Sequence, residues 1–376
     1  MTLTDVRARW AQGQGLTGRA VMTPVECLRR FGWMVVTGGC GPYLSMYARV
    51  EGFRREALDA AVEAGAIVLV QTMRGGTMLV PAEDAPLARA AGAALEEKRE
   101  SQLLRRCKVE DSELVELGAE VRSLLPATTE RIEAALPGRD LGDAGKAFGY
   151  HTTLPAALRR MEARGEVVRV PTGGRVDAAT FEWRAGEGRS VKLDPVELGR
   201  RFFRWAGPAT RNEFAEWAGI GVREADAAIR ALGLAPVKVE GLGEAWDAGA
   251  APGEGQTRFL PFRDNWLYFR RSPSVLVRPA HHAVPVHAWG KGLRPVRDAE
   301  SIHMHTISAG GELVGAWEYD RSDVRIRTFE PTTLGPEREA VTAFVRGELG
   351  HSRIYPADTL TEERLAWIQR QVRVPA

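Results

Sequence analysis

The chain has 376 residues, 44% hydrophobic and 27% charged, with 51 Lys plus Arg against 49 Asp plus Glu. These fractions exclude a disordered, collagenous or disulfide-stapled chain, and no apolar run approaches the roughly 20 residues that span a bilayer. A net charge of +2 excludes a histone-like polycation and leaves local basic patches open.

Length suggests two to four domains. The start, MTLTDVRARWAQGQG, has no apolar core of the signal-peptide kind, so a cytoplasmic location is expected. Cys27, Cys40 and Cys107 offer neither a CxxC pair nor an even disulfide framework and are expected to be reduced thiols. Only six basic residues are Lys, so the cationic chemistry is almost all arginine. That bias reads either as a GC-rich genome or as a preference for planar forks that fit phosphates and guanine edges.

In chain order, residues 23–48 open as a helix, PVECLRRF, pass through GWMVVTGGCGP and resume as YLSMYARV. Gly38, Gly39 and Gly41 with Pro42 mark a tight turn there. Residues 56–64 read as a short helix, and IVLVQTMRGGTMLVP as two strands joined across Arg74-Gly75-Gly76, a hairpin signal. Helices followed by a hairpin are the parts of a winged helix. Residues 82–125 read as one long charged helical connector, unbroken until Pro126.

TTERIEAAL opens the next unit with Thr and a downstream Glu, in the manner of a capping box. LGDAGKAFG follows, then TTLPAALRRMEARGEVVRV, where Leu154, Leu158 and Met161 recur at helical spacing and Gly165 ends the helix. Strands at 167–170 and 181–183 flank the turn PTGGR, which completes a winged helix. From Asp194 the same order returns in DPVELGRRFFRWAG, ATRNEFAEWAGI and GVREADAAIRAL with strands APVKVE and EAWDA. A linker at 249–255 leads to short β-rich runs over 258–319, and the chain ends in helices at 336–349 and 361–372.

The expected fold is α+β, mainly helical: three tandem winged-helix domains with a C-terminal β-barrel-like subdomain. The expected boundaries are 1–125 (with the connector), 126–188, 189–250 and 251–376.

Four blocks carry a family resemblance: MRGGTMLVPAED (73–84), RFFRWAGPATRNEFAEWAGI (201–220), RFLPFRDNWLYFRRSP (258–273) and GGELVGAWEYD (310–320). In this order they resemble the signature stretches of the winged-helix DNA glycosylases of the azinomycin-resistance and YcaQ type. The resemblance implies tandem winged helices with a β-barrel subdomain cradling duplex DNA, and excision of bulky alkylated or crosslinked bases without metal or cofactor. The implied catalytic signature, Gln-x-Gln or Gln-x-Asp, lies just before a stretch like PYLSMYARV. Here those two positions fall on Val35 and Thr37, and the His of the family's hairpin signature corresponds to Met78.

Hydrolysing an N-glycosidic bond builds positive charge on the sugar while water attacks C1′, so the site needs a preorganised polar group. Valine supplies none, and Thr37 supplies one hydroxyl. Three readings stand open. Catalysis is lost and DNA binding kept; or another polar residue, Asp264 or Glu83, performs it, or a shift across the glycines brings in Gln71 or Gln14; or the scaffold serves as a transcription-type regulator or partner-binding scaffold.

For DNA contact, Arg159, Arg160, Arg164, Arg169 and Arg175 face only Glu162 and Glu166 over residues 152–175. The pattern fits a solvated helix face or phosphate contacts from a third helix and wing. Arg74 at its hairpin tip, beside glycines that allow close approach, is a further expected contact, together with Arg211, Arg263 and Arg270. Arg263-Asp264-Asn265 and Arg270-Arg271 flank Trp266, Tyr268 and Phe269, whose alternation suggests a strand with a buried aromatic face. His303-x-His305 would share one strand face, but no cysteine stands near and no metal is expected. With no GxGxxG, Walker A or Ser-His-Asp signature, no nucleotide cofactor is expected. The expected partner is double-stranded DNA, damaged or not, with no membrane, bound by a monomer.

Overall fold

The structure, a computed structural model, describes residues 1–370 apart from 179, 189, 190, 250, 271 and 333. The chain divides into two compact units, residues 59–194 and residues 1–58 with 195–376.

In the 59–194 unit, strands Ile67–Gln71 and Thr77–Pro81 form one antiparallel hairpin, and Val167–Pro171 with Phe181–Ala185 another. The two hairpins lie edge to edge through Leu69 and Arg169, and Ala127–Thr128 pairs with Phe181–Ala185. Hairpins read separately from the sequence thus share one sheet. The helix Leu154–Ala163 buries Leu154, Leu158 and Met161 against Val121, Ile132, Val167 and Trp183, as its helical spacing requires. The connector is two helices, Ala85–Cys107 and Asp111–Leu124, where one was expected. Lys108 ends the first in the left-handed conformation (φ 51°), a cap that glycine usually supplies, so no turn residue betrays it. Gly92 lets the first helix press against a neighbouring turn: a Cβ there would stand 2.8 Å from the Thr72 carbonyl oxygen.

In the other unit, Leu3–Gly13, Pro24–Phe31 and Arg211–Ala218 each begin at a reciprocal capping box, Thr2 with Asp5, Thr23 with Glu26 and Thr210 with Glu213. Helices Pro195–Ala206, Arg211–Ala218 and Val222–Leu232 precede the hairpin Pro236–Val239 and Gly243–Trp246, in the order read from the sequence. An aromatic core joins them: Trp205 meets Trp33 edge-on at 5.6 Å, and Phe202 lies 5.1 Å from Trp217 and 5.9 Å from Phe269. Such pairs each contribute about 0.5–1.5 kcal/mol beyond their burial.

The C-terminal segment differs from expectation in two respects. Its main sheet is open, with four antiparallel strands in the order Val324–Thr328, Glu312–Tyr319, His305–Ala309, Arg258–Leu260. A separate hairpin pairs Pro285–Ala288 with Gly292–Pro295. Four strands are too few to close around a side-chain-filled interior, which takes about eight, so there is no closed barrel among the described residues. The aromatic run is also not a strand. Asp264 caps a one-turn helix, Asn265–Tyr268, and Trp266 and Phe269, three residues apart, are both buried. Arg271 lies outside the described residues. The last helices are Glu337–Phe344, continuing as the π-helical turn Val345–Leu349, and Thr361–Gln369; the expected end at Val372 is outside the described residues. No helix among the described residues is long and apolar enough to cross a membrane.

Candidate functional site

Val35 lies half-buried in the short strand Met34–Val36, and Thr37 follows it. The Thr37 hydroxyl donates to the Ile354 carbonyl, and the Cys40 amide donates to the Arg353 carbonyl at 2.9 Å. Between them Gly39 is pressed onto the same backbone: a Cβ there would lie 2.1 Å from the Arg353 oxygen. Gly38, at φ 79°, faces the Pro356 ring, where a Cβ would come within 2.8 Å. The Gly-Gly-Cys-Gly turn is therefore the seat of a strap, residues 353–356, that reaches Thr37, one of the two positions the family resemblance marks.

The carboxylates near this turn are already paired. Asp264 accepts two hydrogen bonds from Arg49 (2.7 and 2.8 Å), one from the Ser45 hydroxyl (2.7 Å) and one from the Trp266 amide (3.0 Å), and both members of the ion pair are fully buried. Burial pushes the Asp264 carboxyl upward, but the Arg49 charge and these donors together hold it below the ordinary value. Asp358 caps the Ile354 amide at 3.0 Å and is gripped by Arg364 at 2.6 and 3.1 Å. Gln14 is buried and donates to the carbonyls of Phe31 (3.1 Å) and Trp205 (2.7 Å). Glu83 is exposed in a turn of the 59–194 unit, and Gln71 of that unit donates to Glu96 at 3.2 Å.

The arginines singled out in the sequence divide by burial. Arg74 is exposed at its hairpin tip and holds a left-handed backbone at φ 61°. Arg175 forms a two-pronged pair with Asp177 (2.7 Å each), and Arg211 bonds Asp226 at 3.0 and 3.1 Å with its side chain 42% exposed. Arg159 bonds Glu96 (2.8 Å) and the Tyr150 hydroxyl (3.3 Å) in a cleft of about 630 Å³ that also holds Arg99, Arg106 and Phe148. Arg164 lines the same cleft, and Arg169 bonds Glu162 at 2.8 Å.

Two others are enclosed. Arg160 is buried against Asp111 (2.7 Å), and Arg270 is buried over the Trp10 ring at 4.0 Å while donating to the Ala206 carbonyl at 2.5 Å. Burial, only partly offset by Glu213, brings the Arg270 pKa down to about 10.

The two histidines expected on one face part company. His305 accepts from the Phe262 amide at 3.0 Å through Nδ1, so its Nε2 carries the proton and donates to the Ser352 carbonyl at 2.6 Å. His303 joins instead a group absent from the sequence reading: Phe262, Arg263, Trp289 and Tyr355. The Phe262 and Trp289 rings stack at 5.4 Å and 15°, with the Arg263 guanidinium 4.7 Å from the indole centre. Trp289 sits beside Gly290 in a hairpin turn, where neither alternation nor helical spacing marks it. Among the described residues no group of His, Cys, Asp and Glu is arranged to hold a metal ion.

Residues 28–347 match the family model described as DNA glycosylase AlkZ-like. Among solved structures, the Streptomyces sahachiroi DNA glycosylase AlkZ is similar with a TM-score of 0.70 at 19% identity, over 94% of this chain and 98% of that one. At that identity the likeness establishes a shared fold. No curated protein matches the sequence significantly.

Proposed function

The chain belongs to the AlkZ-like DNA glycosylase family, and from that premise we propose that it binds duplex DNA in a repair-linked role with base excision by the family's glutamine chemistry lost. The observation that carries the loss is the Thr37 hydroxyl, whose single proton is donated to the Ile354 carbonyl. Val35 has no polar atom, and a neutral hydroxyl is too weak a base to activate water at C1′. Asp264 does not stand in for it. Drawing that carboxylate out of its pair would leave Arg49 charged in the core, at a cost of about 3–5 kcal/mol.

Duplex binding is assigned to winged-helix segments within 1–125, 126–188 and 189–250. Arg74, Arg159, Arg175 and Arg211 meet phosphates there. The Arg211–Asp226 pair is partly exposed at both ends, and such pairs contribute only about 0–1 kcal/mol, so exchanging that carboxylate for a phosphate costs little. Arg175 keeps its grip on the buried Asp177 and offers a phosphate its exposed third. Arg160 and Arg270, being buried, are assigned to holding the fold. Binding to a duplex is expected to weaken linearly in log–log form with salt, by about 0.9 per phosphate neutralised; affinity that does not change with salt would overturn the duplex reading. An alkylated duplex is expected to release no modified base above the spontaneous rate, and enzyme-dependent release would overturn the loss of excision.

A further inference from the structure

Trp289 is 44% exposed and is the one aromatic among the large exposed hydrophobic residues of the described chain. Its indole is held in place. The Arg263 guanidinium lies 4.7 Å from the Trp289 centre and 5.0 Å from that of Phe262, and the two rings are 5.4 Å apart. These distances make a nearly equilateral triangle, so Phe262 and Arg263 together brace the indole, which keeps 44% of its surface exposed. Arg263 reaches this position from a left-handed backbone, φ 57°, which a non-glycine residue adopts only when its surroundings enforce it.

His303 completes the group, 4.7 Å from the indole, 5.1 Å from Phe262 and stacked on Tyr355 at 5.8 Å. It is only 5% exposed, and its Nε2 is buried with no hydrogen-bond partner in the protein. Burial, with the Arg364 charge second, pushes its pKa down to about 4, so the imidazole is neutral near pH 7 and offers either a donor or an acceptor according to tautomer. Tyr355 belongs to the strap that covers Thr37, so this cluster adjoins the Gly38–Gly39 turn.

A solvent-facing aromatic ring and an adjacent cation are the two groups that hold a base by its face and its phosphate. We propose that Trp289 receives an unpaired DNA base by stacking, with Arg263 taking the adjoining phosphate and the buried His303 packing against the indole to hold it in place. This rests on the DNA-binding reading above and adds a preference for unpaired over paired bases.

The test compares a fully paired duplex with the same duplex carrying one bulged purine, by fluorescence anisotropy at one salt concentration, for wild type, Trp289→Ala, Trp289→Phe and Arg263→Gly. Circular dichroism checks the fold, and Arg263→Gly relieves backbone strain instead of adding it. Wild type is expected to prefer the bulged duplex. Trp289→Ala is expected to weaken bulged-duplex binding by about 5- to 150-fold, the equivalent of the roughly 1–3 kcal/mol of one stacked base, with paired-duplex binding unchanged. Trp289→Phe should retain part of the preference, and Arg263→Gly should lose part of it. Equal wild-type affinity for both duplexes, or equal losses on both in Trp289→Ala, would overturn the proposal. Binding of the bulged duplex alone would keep it and sink the paired-duplex reading.

Discussion

The hydroxyl of Thr37 donates to the backbone carbonyl of Ile354, 317 residues further along the chain. A position that the family resemblance marks for chemistry is here part of the joint between an early strand and a late strap. Gly39 is the steric condition for that joint, since any Cβ would collide with the carbonyl of Arg353.

Gly39→Ala is therefore expected to destabilise the protein by about 1–3 kcal/mol, the usual consequence of forcing a methyl group into a packed contact. Chemical denaturation measures it. A variant as stable as wild type would mean that the strap is not seated on the turn.

Asp264→Ala is expected to cost about 3–5 kcal/mol, because Arg49 would be left charged and unpaired in the core. The folded pKa of Asp264 lies below the ordinary value. Its contribution is thus complete above the unfolded-state pKa, about 3.9, and is lost as pH falls through the lower folded value. The stability gap between wild type and Asp264→Ala should be constant from pH 7 to about pH 5 and narrow below about pH 4. A gap that does not change into strong acid would contradict the ion-pair assignment.

Arg74 and Arg270 should respond in opposite ways. Arg74→Gly removes a left-handed arginine, so stability should hold or rise by about 1 kcal/mol while duplex affinity falls and the salt slope shrinks by about 0.9. Arg270→Ala should lower stability by on the order of 2–4 kcal/mol, through lost packing on Trp10 and an unpaired Ala206 carbonyl, with duplex affinity per folded molecule unchanged. Anisotropy titrations alongside denaturation separate the two effects. An Arg270→Ala protein of normal stability that binds DNA poorly would reverse its assignment.

What the sequence determined by itself is local. The spacing of Leu154, Leu158 and Met161 defines a helix face, and the Arg74-Gly75-Gly76 junction defines a hairpin. The three helices and hairpin after Asp194 follow from apolar periodicity and turn residues, all within a few residues of one another. The absence of an amide at Val35 and Thr37 was equally plain. Only the tertiary structure decided which arginines reach solvent. Arg270 and Arg74 carry the same charge in the sequence, and one is buried because Trp10 and Ala206, distant in the chain, enclose it. The pairing of Leu69 with Arg169, the grip of Arg49 on Asp264 and the gathering of Phe262, Arg263, Trp289, His303 and Tyr355 have the same origin. Each is a contact across scores to hundreds of residues, and its energy depends on burial that no local pattern encodes.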